Sequence, residues 1–285
     1  MVPSDASLVR LFESLWDDYA AITPAATRIR RLLEPDEGTL INDHVALRSF
    51  AHPALGIEAL AAPLLARGYR LTGEYHFEAK GLDARSYSHA EARFPRVFIS
   101  ELRRDALEAA EWSSIDAQIE TFCARIGDID DEWRAWLHPR MWPRPTHETY
   151  ARLLARSEYA GWTSAFGLRA NHFTVDVRAH PSYDDLARLN AFLRAQGFRL
   201  NGDPDTPIQG DPRVGLEQSS IVAERVPFEF DGGETVEIPS CYYEFALRHP
   251  LEDGVLFDGF VTQSADKIFE STDSRHHTPT SEAPG

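Results

Sequence analysis

The sequence predicts an α+β fold made of two copies of one βαβββ module. Three observations carry the prediction. Two short β-prone runs each hold a histidine, Asp43-His-Val-Ala-Leu-Arg-Ser-Phe50 and Ala170-Asn-His-Phe-Thr-Val-Asp-Val177. Each run is followed, at nearly the same spacing, by a glycine turn of nearly the same wording, Gly68-Tyr-Arg-Leu-Thr-Gly73 and Gly197-Phe-Arg-Leu-Asn-Gly202. Between run and turn, each copy carries a helical stretch. Paired modules of this kind are expected to curve into one sheet, with added helices at the N-terminus and between the modules. The two histidine strands would then bring His44 and His172 to one metal at the seam.

The 285 residues are 43% hydrophobic and 26% charged, ordinary for a soluble globular protein. We read residues 1–270 as one domain: module 1 over about 40–102, a helical insertion over about 103–165 and module 2 over about 166–270. The tail, 271–285, is polar with no apolar period and reads as disordered. A net charge of −16 argues against nucleic acid or an anionic membrane as partner. The two cysteines, Cys123 and Cys241, form no disulfide framework or metal pair, so a reducing cytoplasm is expected. The first residues lack a signal-peptide pattern, and no run approaches the about 20 apolar residues of a membrane span.

Taken in order, residues 5–33 read as a helix, because Leu8, Leu11, Phe12, Leu15, Trp16 and Tyr19 line one face. His44 to Phe50 reads as a strand. Residues 56–67 read as a helix in which Pro63 lies in the first turn or makes a break. Tyr69 to Leu71, Glu74 to Phe77 and Arg96 to Leu102 are the next strand candidates. The insertion, with Trp112, Trp133, Trp136 and Trp142, is expected as helices packed outside the sheets. In module 2, Ser182 and Asp185 form a capping box before a Leu186, Leu189, Leu193 stripe, and Gly197 suits the helix end. Strand candidates follow at Phe198 to Leu200, Ser219 to Glu224 and Ser240 to Leu247.

Strand side chains alternate faces. His44, Ala46 and Arg48 therefore share one face, as do Tyr242, Glu244 and Ala246. If those faces look inward, His44, His172 and Glu244 converge. Two imidazoles and one carboxylate make the facial triad that leaves open positions on non-haem Fe(II). Glu101, in a similar place in module 1, offers a fourth ligand by symmetry. A lone strand histidine is more often a packed core residue than a ligand; two at equivalent places of a duplicated unit shift that balance. Arg48, about 13 Å of strand beyond His44, can lean back to grip a substrate carboxylate in a bidentate fork. His76 is a further pocket candidate, and Asp176 a candidate support for His172. Cys241 falls opposite Glu244 and reads as a buried thiol. The chain holds no nucleophile elbow, P-loop, dinucleotide fingerprint or His-Glu-x-x-His pattern.

The runs His44 to Phe50, Ala170 to Val175 and Tyr242 to Phe245, taken together, resemble the 2-oxoadipate dioxygenase/decarboxylase family. That family belongs to the vicinal-oxygen-chelate group of paired βαβββ modules, and the resemblance extends from about Leu40 to about Ser271. It implies Fe(II) held by His44, His172 and Glu244, three ligands rather than four. It implies that Arg48 binds the distal carboxylate of a small 2-oxo dicarboxylic acid. The implied reaction converts 2-oxoadipate and dioxygen to 2-hydroxyglutarate and carbon dioxide in lysine catabolism. Two other readings compete. One is a non-oxidative lyase or isomerase of the same group, which would more readily use Glu101 as a fourth ligand. The other is a metal-free binding module.

Overall fold

The computed structural model describes residues 4–34 and 39–261; the tail 271–285 lies outside them. Two helices come first, α1 (Ser4–Ile22) and α2 (Pro24–Leu33). A single helix over 5–33 was expected. Pro24 divides it, because proline cannot donate the helical hydrogen bond and pushes Thr23 out of helical geometry (φ −132°, ψ 71°).

Module 1 is β1 (Asn42–Phe50), α3 (Ile57–Leu65), β2 (Arg70–Phe77), β3 (Leu82–Ser88) and β4 (Arg96–Leu102). Pro63 sits well inside α3 rather than in its first turn. The two strand candidates flanking Thr72 are one strand, β2, with an irregularity between Leu71 and Gly73. The third outer strand is β3, which was not foreseen. Helices α4 (Ala109–Ile126), α5 (Arg134–Leu137), α6 (His147–Arg156) and α7 (Glu158–Phe166) fill the connection to module 2, with Trp112, Trp133, Trp136, Trp142 and Trp162 all buried.

Module 2 is β5 (Ala170–Asp176), α8 (Leu186–Ala195), β6 (Gln209–Asp211), β7 (Leu216–Ser220), a separate hairpin of β8 (Arg225–Glu229) and β9 (Thr235–Pro239), and β10 (Tyr242–Arg248). Asp185 itself caps α8, its Oδ1 accepting from Arg188 N at 2.7 Å, so the Ser182 capping box does not form. Phe198 to Leu200 makes only an isolated bridge at Leu200.

The eight main strands form one sheet ordered β2-β3-β4-β1-β5-β10-β7-β6. Read outward from the centre, the halves match: β1, β4, β3, β2 on one side and β5, β10, β7, β6 on the other. The β1–β5 seam is antiparallel, whereas β1–β4 and β5–β10 are both parallel. The helices cover one face of the sheet. There Val45, Phe173, Val175, Tyr243 and Phe245 are fully buried, and Trp16 and Tyr19 of α1 set their rings 5.3 and 5.2 Å from Phe173. Burying each such side chain contributes about 1.5–3 kcal/mol. The opposite face carries His44, Arg48, His172 and Glu244.

Candidate metal centre

Strand register places the three candidate ligands in neighbouring rows. One row runs Arg96, His44, Thr174, Glu244; the next runs Phe98, Ala46, His172, Tyr242. His44 Nε2 lies 3.3 Å from Glu244 Oε1, and His172 Nε2 lies 3.8 Å from Glu244 Oε2. The ligand atoms of all three residues fall within 4.8 Å of one another, and all three side chains are buried.

Each histidine is preceded by a bulge residue. Asn42 to His44 spans two residues against one step, Val175 to Thr174, on β5; His172 to Ala170 spans two against Ala46 to Leu47. The extra residues are Asp43 and Asn171, at equivalent places in the two modules. A bulge breaks alternation and re-aims a side chain, so each can reach the ring beside it. Asp43 Oδ1 accepts from His44 Nδ1 at 2.7 Å, and Asn171 Oδ1 from His172 Nδ1 at 3.1 Å. With Nδ1 held as the donor, Nε2 is the ring nitrogen turned toward Glu244 in each case.

Asp43 is itself clamped. Arg248 Nε donates to its Oδ2 at 2.7 Å and Nη2 to its Oδ1 at 2.9 Å. Burial opposes the charge, yet Arg248 and His44 hold the Asp43 carboxyl well below the usual range. Burial also pulls the His44 pKa down, but the hydrogen bonds its ring donates to Asp43 and Glu244 leave it raised. The His172 pKa is lowered by burial, with His44 and Arg48 adding to the effect. Gln218 donates to Glu244 Oε1, while Oε2 is buried with no hydrogen-bond partner among the described residues. That orphaned oxygen, beside two imidazole nitrogens turned toward it, fits a divalent transition metal, and such an ion would displace the proton on His44.

The triad opens into a small cavity that reaches Arg48 and Phe98. Arg48 Nη1 donates to Glu158 Oε1 at 2.9 Å, and its guanidinium stacks 5.0 and 5.1 Å from the rings of Tyr159 and Trp162. These three residues belong to α7, so the insertion builds one end of the cavity as well as covering the sheet. Residues 257–260 cross the other side. Arg248 Nη1 donates to the carbonyls of Phe257 and Gly259, and Arg96 Nε to Asp258 at 2.7 Å. The Phe260 ring stands perpendicular to His44 at 4.7 Å.

Several expectations are corrected. His76 does not line the cavity; it is exposed and paired with Asp83 at 2.8 Å. Register explains why: the row through Arg48 continues to Ser100, Ala84 and Tyr75, so Tyr75 faces inward and His76 outward. Glu101 is no fourth ligand. It pairs with Ser49 on the opposite face, and its Oε2 accepts from Ile57 N at 2.7 Å at the start of α3. The module 1 counterpart of Glu244 is Phe98, two positions along the sheet in the same sense. Asp176 makes no bond to His172; it accepts from Ala179 N at 3.2 Å. Cys241 is a buried thiol, pushed up to about 12 by burial. Asp43, Asn171, Gln218, Arg248 and Glu158 were not foreseen. One signal was present: both histidines follow an Asp or Asn.

The family model described as 2-oxoadipate dioxygenase/decarboxylase matches residues 1–254. A chloroplastic 2-oxoadipate dioxygenase/decarboxylase of Arabidopsis thaliana is 33% identical over 260 residues, 83% of this chain and 69% of that protein. The crystal structure of hydroxyglutarate synthase from Oryza sativa, in complex with 2-oxoadipate, superposes with a TM-score of 0.85 at 30% identity, covering 96% of this chain and 95% of that one. A glyoxalase-superfamily protein from Ralstonia eutropha JMP134 shares the fold, with a TM-score of 0.66 at 22% identity over 85% of this chain and 83% of that one. The matched stretch runs through both bulged histidine strands and the strand of Glu244, and the chain belongs to the 2-oxoadipate dioxygenase/decarboxylase family.

Proposed function

We propose that this protein is an Fe(II)-dependent dioxygenase/decarboxylase that takes 2-oxoadipate and dioxygen to 2-hydroxyglutarate and carbon dioxide, a step of lysine catabolism. The observation that carries the reading is the buried His44, His172, Glu244 cluster, with Glu244 Oε2 lacking a hydrogen-bond partner among the described residues, opening on a cavity that reaches Arg48. Both cysteines are free thiols, consistent with a reducing, cytoplasmic setting.

His44, His172 and Glu244 would hold the ion, which when bound supplies Lewis acidity and a redox path to dioxygen. Three protein ligands leave room for both substrates. Asp43 and Asn171 keep the two rings oriented. Arg48, seated against Tyr159 and Trp162, supplies the positive charge for the carboxylate remote from the reacting end. Phe98 and Phe260, with ring centroids 4.9 Å apart, wall the cavity and limit access of water. A non-oxidative reaction using four ligands is disfavoured by Phe98 standing where the fourth would be.

The test is dioxygen consumption by Fe(II)-loaded, anaerobically prepared protein on adding 2-oxoadipate, with products followed by mass spectrometry. Uptake matched by carbon dioxide and 2-hydroxyglutarate is expected. Stoichiometric metal without uptake on any of a panel of 2-oxo acids would reject the oxidative reading.

A further inference from the structure

Two polar groups in the cavity remain unused. Tyr242 is fully buried and Asn171 is 1% exposed; both line the cavity. Tyr242 Oη and Asn171 Nδ2 have no hydrogen-bond partner among the described residues. A buried donor without a partner is unfavourable and native structures rarely keep one without a reason. Here two share one small space.

Their placement says what they await. Tyr242 stands in the His172 row, between the Glu244 row and the Arg48 row, with its ring stacked 4.6 Å from that of His172. Asn171 reaches the same space through its bulge. Its Oδ1 is engaged by His172, so Nδ2, a donor, is what it has left. Both residues thus line the one cavity that holds the triad and Arg48. Arg48, whose Nη1 is engaged by Glu158 from α7, lines the same cavity. Three donors around one place suit a ligand with several acceptor lone pairs and negative charge.

We propose that Tyr242 Oη and Asn171 Nδ2 donate hydrogen bonds to the substrate carboxylate remote from the metal, beside Arg48, and so determine the preference for a dicarboxylic 2-oxo acid of this length. The assignment rests on the proposed reaction and names residues that the reaction alone does not.

The experiment is anaerobic titration calorimetry of the Ni(II)-loaded protein with 2-oxoadipate and with 2-oxohexanoate, which has the same chain and no distal carboxylate. Tyr242→Phe should weaken 2-oxoadipate about ten- to a hundredfold, the span of one hydrogen bond to a charged group, and leave 2-oxohexanoate unchanged. Its metal-free melting temperature should be no lower than that of the parent, because the hydroxyl has no partner to lose. Asn171→Asp keeps the oxygen that holds His172, so metal stoichiometry should persist while 2-oxoadipate weakens more than 2-oxohexanoate. The assignment is overturned if Tyr242→Phe binds both acids as the parent does, or weakens both equally, or melts lower with discrimination unchanged. A parent protein that binds neither acid removes the proposed reaction and this assignment together; a parent that binds 2-oxoadipate beside a variant with unaltered preference removes only the assignment.

Discussion

Changing Asp43 to Asn removes one buried charge and almost no volume. In the parent, Asp43 and Arg248 are each 2% exposed and share two hydrogen bonds. An amide can accept only one of these, and its NH2 group then faces guanidinium N–H groups, donor against donor. Breaking one side of a buried pair costs about 3–5 kcal/mol. At about 2–4 °C per kcal/mol for a chain near this size, metal-free Asp43→Asn should melt roughly 6–20 °C lower. Thermal unfolding followed by circular dichroism reads this directly. Arg248→Met should be similarly damaging, and the double variant should be less destabilised than the sum by at least about 1 kcal/mol, since no unpaired charge is left. Asp43 is held below its unfolded value of about 3.9, so its contribution is present above that pH and is lost as pH falls below it. Asp43→Asn should therefore lack part of the parent's acid sensitivity below about pH 4. Kept well below its melting point, the variant should bind metal about 10–100-fold more weakly because the partner of His44 Nδ1 loses its charge and its anchoring by Arg248. A melting shift within a degree of the parent, or single effects that simply add, would refute the reasoning.

Other outcomes follow from the same geometry. Glu101→Ala should lose about 1 kcal/mol of stability through the cap of α3 and keep full metal stoichiometry, whereas Glu244→Ala should lose the metal; inductively coupled plasma analysis separates them. Arg48→Lys keeps the charge but loses the planar fork, so KM for 2-oxoadipate should rise about tenfold or more while that for 2-oxohexanoate stays put. A thiol reagent should modify Cys241, buried and held protonated, only after unfolding, while partly exposed Cys123 reacts in the native protein.

What could be read in advance was what is local. The histidine runs, the glycine turns and the apolar stripe of α8 depend on neighbours in the chain, and each stands where the pattern put it. The ligand face of β10 followed from simple alternation. Alternation failed where the chain departs from it: bulges at Asp43 and Asn171 turn inward two side chains that parity assigns outward. On β2 the pocket candidate was His76, whereas the row of Arg48, Ser100 and Ala84 makes Tyr75 the inward residue. Strand β3 stayed hidden because its inward residues, Ala84, Ser86 and Ser88, are small or polar and show no hydrophobic period. The β8–β9 hairpin had a turn signal in Asp231-Gly232-Gly233, with Gly232 at φ +95°. Glu158 and Arg248 were beyond reach for another reason. They meet Arg48 and Asp43 across 110 and 205 residues of chain, and no local rule encodes such meetings.

The central seam has a mechanical side. His44 belongs to one half of the sheet, and His172 with Glu244 to the other. An ion gripped by all three is a clasp across β1 and β5, and its binding energy is also cohesion between the halves. Loss of the clasp weakens the molecule along a defined line. Amide protons at Val45 and Phe173, paired across that line, should be shielded by metal far more than those of the outer strands β2 and β6. In this arrangement the joint between the two matching halves and the candidate metal centre are the same place, so neither half can drift without the other registering it.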